Sequence, residues 1–235
     1  MIIKVCGLRE TENIREVSNL GVDLLGFIFW PESPRFVRMI SSQAGIMPDY
    51  SEERLRKAKA GNPETDAQAY QQISRVGVFV DDMPQNIVTR VYNYGLDYVQ
   101  LHGDESPTMI ENLRRTLEPD IKPGIKIIKA FGIETADDLS QCEAYEGLAD
   151  LFIFDTKTPA KGGSGKPFDW SILSAYQGHT PFLLSGGIGP DDVQKIKSFR
   201  HPQFIGIDLN SRFEIEPGVK DIGKLKTFIQ EIKNE

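Results

Sequence analysis

Two residues with side chains that could move protons stand at the ends of apolar runs. Cys6 ends the run that begins at Ile2, and Asp155 follows Leu151–Phe154. Burial of a carboxyl group in a partly desolvated site raises its pKa and can keep it protonated enough to act as an acid. The ordinary alternatives are a small buried cysteine and an aspartate that caps a loop or pairs with Lys157. The thiol and the carboxyl group are the first candidates for acid–base chemistry.

Glycine-rich turns and one arginine could bind anionic groups. Gly162–Gly165 and Ser185–Gly187 could each present backbone N–H groups to a phosphate. The second is the better candidate, because it follows the seventh apolar run and precedes a helix N-terminus. Either run taken alone is more often a plain turn. Arg35 follows the second apolar run, where it could hold a carboxylate through two hydrogen bonds, although a surface ion pair is its commoner role.

Eight short runs rich in apolar and β-branched residues predict the strands that would position these side chains. Most of the runs are nearly continuous, which is typical of parallel strands that are buried on both faces. The runs are Ile2–Cys6, Asp23–Phe29, Val76–Val80, Tyr98–Leu101, Ile125–Phe131, Leu151–Phe154, Pro181–Leu184 and Phe204–Leu209.

The segments between the runs have helical periodicity with start and stop signals. Gly21 and Gly95 follow spaced apolar residues where helix C-caps would lie, and Pro107 begins another helical segment. A last helix from Ile222 is expected to pack against the first and close the ring. Eight strands alternating with helices allow a closed barrel or an open doubly wound sheet.

The strand number, the length of 235 residues and the lack of an early GxGxxG run favour an α/β fold with a single (β/α)8 TIM barrel. The barrel is predicted to be one domain over residues 1–235. Between strands 2 and 3, the long segment Val37–Arg75 predicts an elongated helical connection. In such barrels the active site lies at the carboxyl ends of the strands. That rule gathers a thiol, carboxylates, a histidine and glycines at one rim.

The composition of the chain argues against several partners. A net charge of −7 and a pI near 5.1 disfavour a nucleic-acid or anionic-membrane partner, which would need a basic face. The N-terminal sequence does not look like a signal peptide, and no apolar run reaches the roughly 18 residues of a membrane span. Two cysteines without a zinc spacing fit the reducing cytoplasm, and three scattered histidines argue against a histidine-rich metal site.

Seven segments, taken in order, resemble one enzyme family, the phosphoribosylanthranilate isomerases of tryptophan biosynthesis. They fall at both ends of the chain and at most of the predicted strand ends, so the resemblance covers nearly the whole barrel. The segments are KVCGL at 4–8, LGFIFWPESPRFV at 25–37, VGVFV at 76–80, VQLHGDE at 99–105, FDTKTPAKGGSGKPFDW at 154–170, PFLLSGGI at 181–188 and GIDLNS at 206–211.

The resemblance implies an Amadori rearrangement of N-(5-phosphoribosyl)anthranilate to 1-(2-carboxyphenylamino)-1-deoxy-D-ribulose 5-phosphate, with no metal or organic cofactor. It implies that Asp155 is the general acid, which protonates the ring oxygen, and that Cys6 is the general base, which removes the C2 proton. An ordinary thiol is about 3% thiolate at pH 7, so a pKa lowered by one or two units would bring Cys6 near its working range.

The resemblance also implies the substrate-binding residues. Arg35 corresponds to the ligand of the anthranilate carboxylate, and Asp208 lines the same pocket. His102, at the end of the fourth apolar run, is a further candidate for substrate binding. The phosphate would lie against Gly186, Gly187 and the loop after the eighth strand, which contains Ser211. The chain departs from the family in that loop, because Arg212 replaces the glycine of a Ser-Ser-Gly-Val-Glu-like run and could itself contact the phosphate. The loop Gly162–Gly165 could close over the substrate.

Two other functions stay open on the sequence alone. One is a non-catalytic barrel that binds a phosphorylated metabolite, although a pure binder would need neither the thiol nor the acid. The other is a different phosphosugar isomerase on the same fold. In each case the expected partner is a small phosphorylated molecule rather than nucleic acid or a membrane. The protein is expected to be a cytoplasmic monomer or homodimer.

Overall fold

The computed structural model describes residues 1–39, 73–157 and 169–234. Eight parallel strands follow one another around a closed barrel in chain order, and the last pairs with the first. The predicted TIM barrel is confirmed, and each predicted strand overlaps an observed one. The barrel strands are β1 (Ile2–Val5), β2 (Leu24–Ile28), β3 (Ser74–Phe79), β4 (Tyr98–Leu101), β5 (Lys126–Ile133), β6 (Leu151–Thr156), β7 (Phe182–Leu184) and β8 (Phe204–Leu209).

Helices surround the barrel. Gly95 ends one helix in the left-handed conformation, Pro107 opens the next, and the last helix packs against the first, as predicted. In the described residues the α-helices are α1 (Thr11–Ser18), α2 (Pro84–Tyr94), α3 (Pro107–Leu117), α4 (Val193–Ser198) and α5 (Ile222–Lys233), and 3-10 helices span Ala136–Tyr145, Trp170–Ala175, Pro190–Asp192 and Ser211–Phe213.

The predicted C-cap at Gly21 is wrong. Helix α1 ends at Ser18 with Asn19 as its C-cap. The backbone N–H groups of Asn19 and Leu20 bond the carbonyls of residues three positions earlier, so the helix end tightens before the glycine is reached. Gly21 instead takes a φ of +74° in the turn that leads into β2.

The barrel interior holds apolar side chains and a few polar ones. Side chains alternate between the two faces of a strand, so Lys4 and Cys6 both point into the barrel. Lys4, Gln100 and Asp208 are each at most 6% exposed. Charged groups are tolerated there only when they are paired or hydrogen-bonded. The interior apolar cluster consists of Cys6, Leu24, Val76, Val78, Ile128, Ala130, Leu151, Ile153 and Leu183.

A short hairpin that the sequence did not predict follows the barrel. Strands β9 (Glu214–Glu216) and β10 (Val219–Lys220) are antiparallel, and Lys220 lies opposite Glu214. The side chain of Asn13 exchanges two hydrogen bonds, of 2.7 and 2.9 Å, with the backbone of Lys220 and ties the hairpin to α1. Strands of two and three residues are too short to leave an alternating pattern in a sequence.

The connection between β2 and β3 is elongated, as predicted, because β2 ends at Ile28 and β3 begins at Ser74. Its predicted helical part lies in residues 40–72, outside the described residues. Among the helices in the described parts of the chain, none is long and apolar enough to cross a membrane.

Candidate active site

A cavity of about 450 Å³ opens at the carboxyl ends of the barrel strands. All eight residues that the sequence singled out for this site line it, although they come from six different strand ends and the loops that follow. The lining consists of Cys6, Ile28, Trp30, Glu32, Ser33, Pro34, Arg35, Val78, Val80, Gln100, His102, Asp155, Ser185, Gly186, Gly187, Ile188, Asp208, Asn210 and Ser211.

Cys6 lies directly after β1 at the base of the cavity. Its backbone N–H bonds the Leu209 carbonyl at 2.9 Å, and the residue is 4% exposed. Burial raises the pKa of the thiol above its ordinary value, and the positive charges of Lys4 and Lys220 act against that rise. A thiol pKa lowered by one or two units would favour the base, but the fold raises it instead, because desolvation of a thiolate inside the barrel outweighs two nearby ammonium groups.

The alkylation rate of Cys6 should keep rising with pH. Because the thiolate is the nucleophile, the rate of carbamidomethylation is expected to increase about tenfold per pH unit between pH 7 and 9. Mass spectrometry of the labelled peptide measures it. Cys142 is an internal control: it is 1% exposed and burial raises its pKa to about 12, so it should not react. A plateau below pH 8 would show a thiolate that is already formed.

Lys4 and Asp208 form a buried ion pair beside the thiol. Lys4 Nζ lies 2.9 Å from Asp208 Oδ2, and the two side chains are 0% and 6% exposed. Within the described residues, no hydrogen-bond donor reaches the buried Asp208 Oδ1. Asp208 lines the cavity, so the buried carboxyl group lies next to the space that a ligand would occupy. Lys4 has a sequence signal of its own, because a lysine inside an apolar strand needs a buried partner.

Asp155 lies near the end of β6 with its side chain 15% exposed. Burial raises its pKa to about 6, although the Thr156 N–H donates to Oδ1 at 2.7 Å and opposes the rise. The predicted protonated acid therefore has a physical basis. Pairing with Lys157, the alternative, is wrong, because Lys157 Nζ bonds Asp138 at 2.8 Å instead.

His102 stands between Asp155 and Gln100. Its Nε2 is 3.7 Å from Asp155 Oδ2, and its Nδ1 is 3.2 Å from the side-chain nitrogen of Gln100. If the Gln100 amide donates to Nδ1, the imidazole proton is on Nε2 and faces the Asp155 carboxylate. The imidazole therefore lies next to the acid on one side and next to the buried amide on the other.

Arg35 enters the cavity from the loop after β2. Its Nε lies 2.8 Å from Glu214 Oε1 and its Nη2 lies 2.7 Å from Oε2, with the two side chains 13% and 5% exposed. The expected alternative was a surface ion pair. An ion pair exists, but it is partly buried and its arginine lines the cavity. Glu214 was not singled out from the sequence, because its partner lies 179 positions away.

Gly186 and Gly187 form a turn with φ values of +80° and +71°. A methyl group on Gly186 would lie 2.4 Å from Thr156 Oγ1 and 2.9 Å from Asp155 Oδ1, so only glycine fits beside the acid. This turn, together with Ser211, forms one wall of the cavity. The other predicted glycine turn, Gly162–Gly165, lies outside the described residues.

Arg212 does not line the cavity. It is exposed, and its Nε lies 3.2 Å from the place that a methyl group on Gly189 would occupy. The guanidinium therefore lies alongside the turn that precedes α4, close to the glycine wall but outside it. In the described segments, no group of three or more His, Cys, Asp and Glu side chains has the geometry to hold a metal ion.

Replacement of Gly7 by alanine should weaken the site through Arg35. Gly7 has a φ of +76°, and a methyl group there would lie 2.6 Å from Arg35 Cδ and 2.7 Å from Asn210 Oδ1. We expect a loss of about 1–3 kcal/mol in the free energy of unfolding from backbone strain and a raised KM from the displaced arginine. Urea denaturation and steady-state kinetics measure the two effects.

Gly124→Ala is the matched control for Gly7→Ala. Gly124 has a φ of +77° but nothing within 4 Å of the place of its methyl group. The control should show the backbone strain without the rise in KM. Equal KM values for the two variants would show that Gly7 has no part in placing Arg35.

The closed barrel with this cavity belongs to the class of (β/α)8-barrel proteins whose active sites are built from strand ends and the loops after them. The family model described as N-(5′-phosphoribosyl)anthranilate (PRA) isomerase matches residues 3–231. The chain belongs to the phosphoribosylanthranilate isomerase family, as the motifs indicated.

Individual relatives agree with the family match. The N-(5′-phosphoribosyl)anthranilate isomerase of Parabacteroides distasonis is 48% identical over 232 residues, which cover 99% of this chain and 93% of the relative. The crystal structure of phosphoribosyl anthranilate isomerase from Thermotoga maritima is similar with a TM-score of 0.71 and 31% identity, covering 99% of both chains.

A third relative was solved with a ligand. It is a phosphoribosyl anthranilate isomerase in complex with reduced 1-(o-carboxyphenylamino)-1-deoxyribulose 5-phosphate. It is similar with a TM-score of 0.69 and 26% identity and covers 99% of both chains.

Proposed function

We propose that this protein converts N-(5-phosphoribosyl)anthranilate to 1-(2-carboxyphenylamino)-1-deoxy-D-ribulose 5-phosphate in tryptophan biosynthesis. Family membership over residues 3–231 supports the reaction. The observation that carries the assignment is the presence of Cys6 and Asp155 in one cavity that has a glycine turn on one wall and a cationic arginine on another. No other function is needed to account for this set of residues.

Asp155 is the general acid of the proposed reaction. Its proton goes to the ring oxygen of the ribose, the bond from that oxygen to C1 breaks, and the nitrogen lone pair forms an iminium with C1. A pKa of about 6 keeps roughly a tenth of the Asp155 carboxyls protonated at pH 7. An ordinary aspartate, with a pKa near 3.9, would be protonated in roughly one molecule per thousand.

Cys6 is the general base of the second step. The iminium makes the C2 proton acidic, and the thiolate takes that proton. The electron pair of the C–H bond forms the C1=C2 double bond of an enolamine while the π pair of the C1=N bond returns to nitrogen. Tautomerisation of the enolamine gives the ketone. The reactive form of the enzyme holds a thiolate and a protonated Asp155. Lys4 and Lys220 favour that form, because each stabilises the negative charge on sulfur.

The remaining cavity residues bind the substrate in this proposal. Arg35 holds the anthranilate carboxylate, and Asp208 lines the same pocket. His102 contacts an oxygen near the ring that opens. The phosphate lies against the N–H groups of Gly186 and Gly187 and against Ser211, where a turn of positive-φ residues can cradle an anion.

We propose that residues 1–235 form one cytoplasmic domain whose partner is this phosphorylated metabolite rather than nucleic acid. The proposed assembly is a monomer or a homodimer, and the Thermotoga maritima isomerase is dimeric. Sedimentation velocity at micromolar concentration distinguishes the two states.

The decisive test is turnover of freshly prepared N-(5-phosphoribosyl)anthranilate by the purified protein. The loss of anthranilate-type fluorescence measures that turnover. The gene should also restore growth without tryptophan to an auxotroph that lacks this step. Binding of the substrate without turnover would support a non-catalytic metabolite-binding barrel instead. Turnover of another phosphosugar at a higher kcat/KM would support a different isomerase.

A further inference from the structure

Glu214 occupies one edge of the Arg35 guanidinium and leaves the other free. Glu214 accepts from Nε at 2.8 and 3.1 Å and from Nη2 at 2.7 Å. A guanidinium has five N–H donors in a planar fork, so the edge formed by Nη1 and the second Nη2 hydrogen can still take a carboxylate through two bonds. Among the described residues, none accepts a hydrogen bond from Nη1. Arg35 lines the cavity, whereas Glu214 lies behind it.

Lys220 keeps this group positively charged. Its side chain is 0% exposed, and Nζ lies 2.7 Å from Glu214 Oε1 and 2.7 Å from Asn210 Oδ1. Arg35 and Lys220 together carry two positive charges against the single negative charge of Glu214. An isolated Arg–Glu pair would be neutral and would attract a ligand carboxylate weakly. With Lys220 protonated, the group of Arg35, Lys220 and Glu214 carries one net positive charge next to the cavity. Burial lowers the pKa of Lys220, and the negative charge of Glu214 opposes that change.

The hairpin accounts for how these residues meet. Glu214 on β9 and Lys220 on β10 are register partners across the two strands. Lys220 is fixed further by the two hydrogen bonds between its backbone and Asn13. The side chain of Arg35 passes close to Gly7 and Asn210 on its way to Glu214. The guanidinium is therefore held from behind by Glu214, and the side chain that carries it lies against Gly7.

We infer that Glu214 and Lys220 are positioning residues, of which Glu214 orients Arg35 and Lys220 offsets the negative charge of Glu214, so that the site selects ligands with an aromatic carboxylate. The inference rests on the proposed function, since the ligand carboxylate is that of the anthranilate group. It assigns a role to the β9–β10 hairpin. If Glu214 instead blocked Arg35, it would compete with the ligand carboxylate for the guanidinium. Removal of the Glu214 charge would then tighten the binding of a carboxylated ligand.

The experiment compares two ligands that differ by one group. The first is the reduced product analogue 1-(2-carboxyphenylamino)-1-deoxyribitol 5-phosphate, and the second is the same molecule without the carboxyl group. Isothermal titration gives the ratio of their dissociation constants for the wild type, Glu214→Gln, Lys220→Met and Arg35→Met. Asp150→Asn is the control for loss of a partly buried ion pair, because Asp150 pairs with Arg114 at 2.8 Å and does not line the cavity.

The wild type should prefer the carboxylated ligand, and each of the three site variants should lower that preference by a factor on the order of 10 or more. The double variant Arg35→Met/Glu214→Gln should lose no more than Arg35→Met alone, because Glu214 acts through the arginine. Asp150→Asn should keep the full preference. A purely structural role for Glu214 would weaken both ligands equally and leave the ratio unchanged.

Three outcomes overturn the inference. If Glu214→Gln leaves the ratio of the two dissociation constants unchanged, Glu214 is not a positioning residue. The proposed function still stands in that case, provided that the wild type prefers the carboxylated ligand. Tighter binding of the carboxylated ligand by Glu214→Gln shows that Glu214 blocks Arg35. A wild type without any preference defeats both the inference and the proposed substrate. If Glu214→Gln does not fold, the ratio for Lys220→Met decides, because it tests the same charge balance.

Discussion

Replacing Cys6 by serine is expected to lower kcat about 1,000-fold and to leave the fold nearly unchanged. General acid–base catalysis contributes on the order of 100- to 10,000-fold, and a serine hydroxyl is a far weaker base than a thiolate. Serine has nearly the size of cysteine, so it fits the space beside Gly26, where a methyl group would come within 2.8 Å of the Cys6 sulfur. Steady-state kinetics with the phosphoribosylated substrate measure the loss.

Cys142→Ser is the matched control for Cys6→Ser. Cys142 is also buried, in the 3-10 helix between β5 and β6, but it does not line the cavity. The kcat of Cys142→Ser should stay within about twofold of the wild-type value, since a change in the core far from the cavity rarely alters the rate of the chemical step. Binding of the reduced product analogue should be similar in wild type and Cys6→Ser. A Cys6→Ser enzyme with wild-type kcat would remove the thiol from the catalytic pair.

Replacing Asp155 by asparagine is expected to abolish most of the activity and to stabilise the protein at neutral pH. Asparagine cannot donate the proton that opens the ring, so kcat should fall on the order of 100- to 10,000-fold. Burial raises the pKa of Asp155 to about 6. Near pH 8 the ionised carboxylate therefore costs the folded state about 3 kcal/mol relative to an unfolded chain with a pKa near 3.9.

The stability that Asp155→Asn gains over the wild type depends on pH, and the sign of that dependence follows from the raised pKa. As pH rises from about 4 to 6, the unfolded chain releases the Asp155 proton while the folded protein keeps it, so the wild type loses stability over this window. Asp155→Asn has no such loss. Urea denaturation should show little difference between variant and wild type at pH 4 and a variant more stable by up to about 3 kcal/mol at pH 8.

Asp138→Asn provides a control of opposite sign. Burial acts to raise the pKa of Asp138, but hydrogen bonds from Lys157, Thr135 and Glu134 outweigh it and lower the pKa to about 2. Its ionised form is therefore stabilising at neutral pH, and asparagine there should lower the free energy of unfolding. An Asp155→Asn protein that is less stable than the wild type at pH 8 would show that the carboxylate is paired, and the acid role would lose its physical basis.

The sequence alone predicted the barrel because its signals are local. Buried parallel strands give continuous apolar runs, and Gly95 and Pro107 mark helix ends through their own backbone preferences. Once the strands were located, the rule that barrel sites lie at strand ends selected Cys6, Asp155 and Asp208. All three line the observed cavity. Ordered motifs then indicated the family.

Only the tertiary structure decided the electrostatics of the site. The direction of the Cys6 pKa depends on how much water the barrel excludes and on how close Lys4 and Lys220 lie, and no local pattern contains either quantity. The partner of Arg35 is 179 positions away in the chain, and it reaches the arginine only because β8 and the hairpin return to the loop after β2.

The place of Arg212 was decided in the same way. The sequence put a charge where a glycine was expected beside the phosphate, but the folded loop turns the side chain toward Gly189 and keeps it out of the cavity lining. Backbone preference and hydrophobic periodicity act between near neighbours and can be read along the chain. Charge–charge interactions and desolvation depend on distances through space, so they exist only once the barrel has closed.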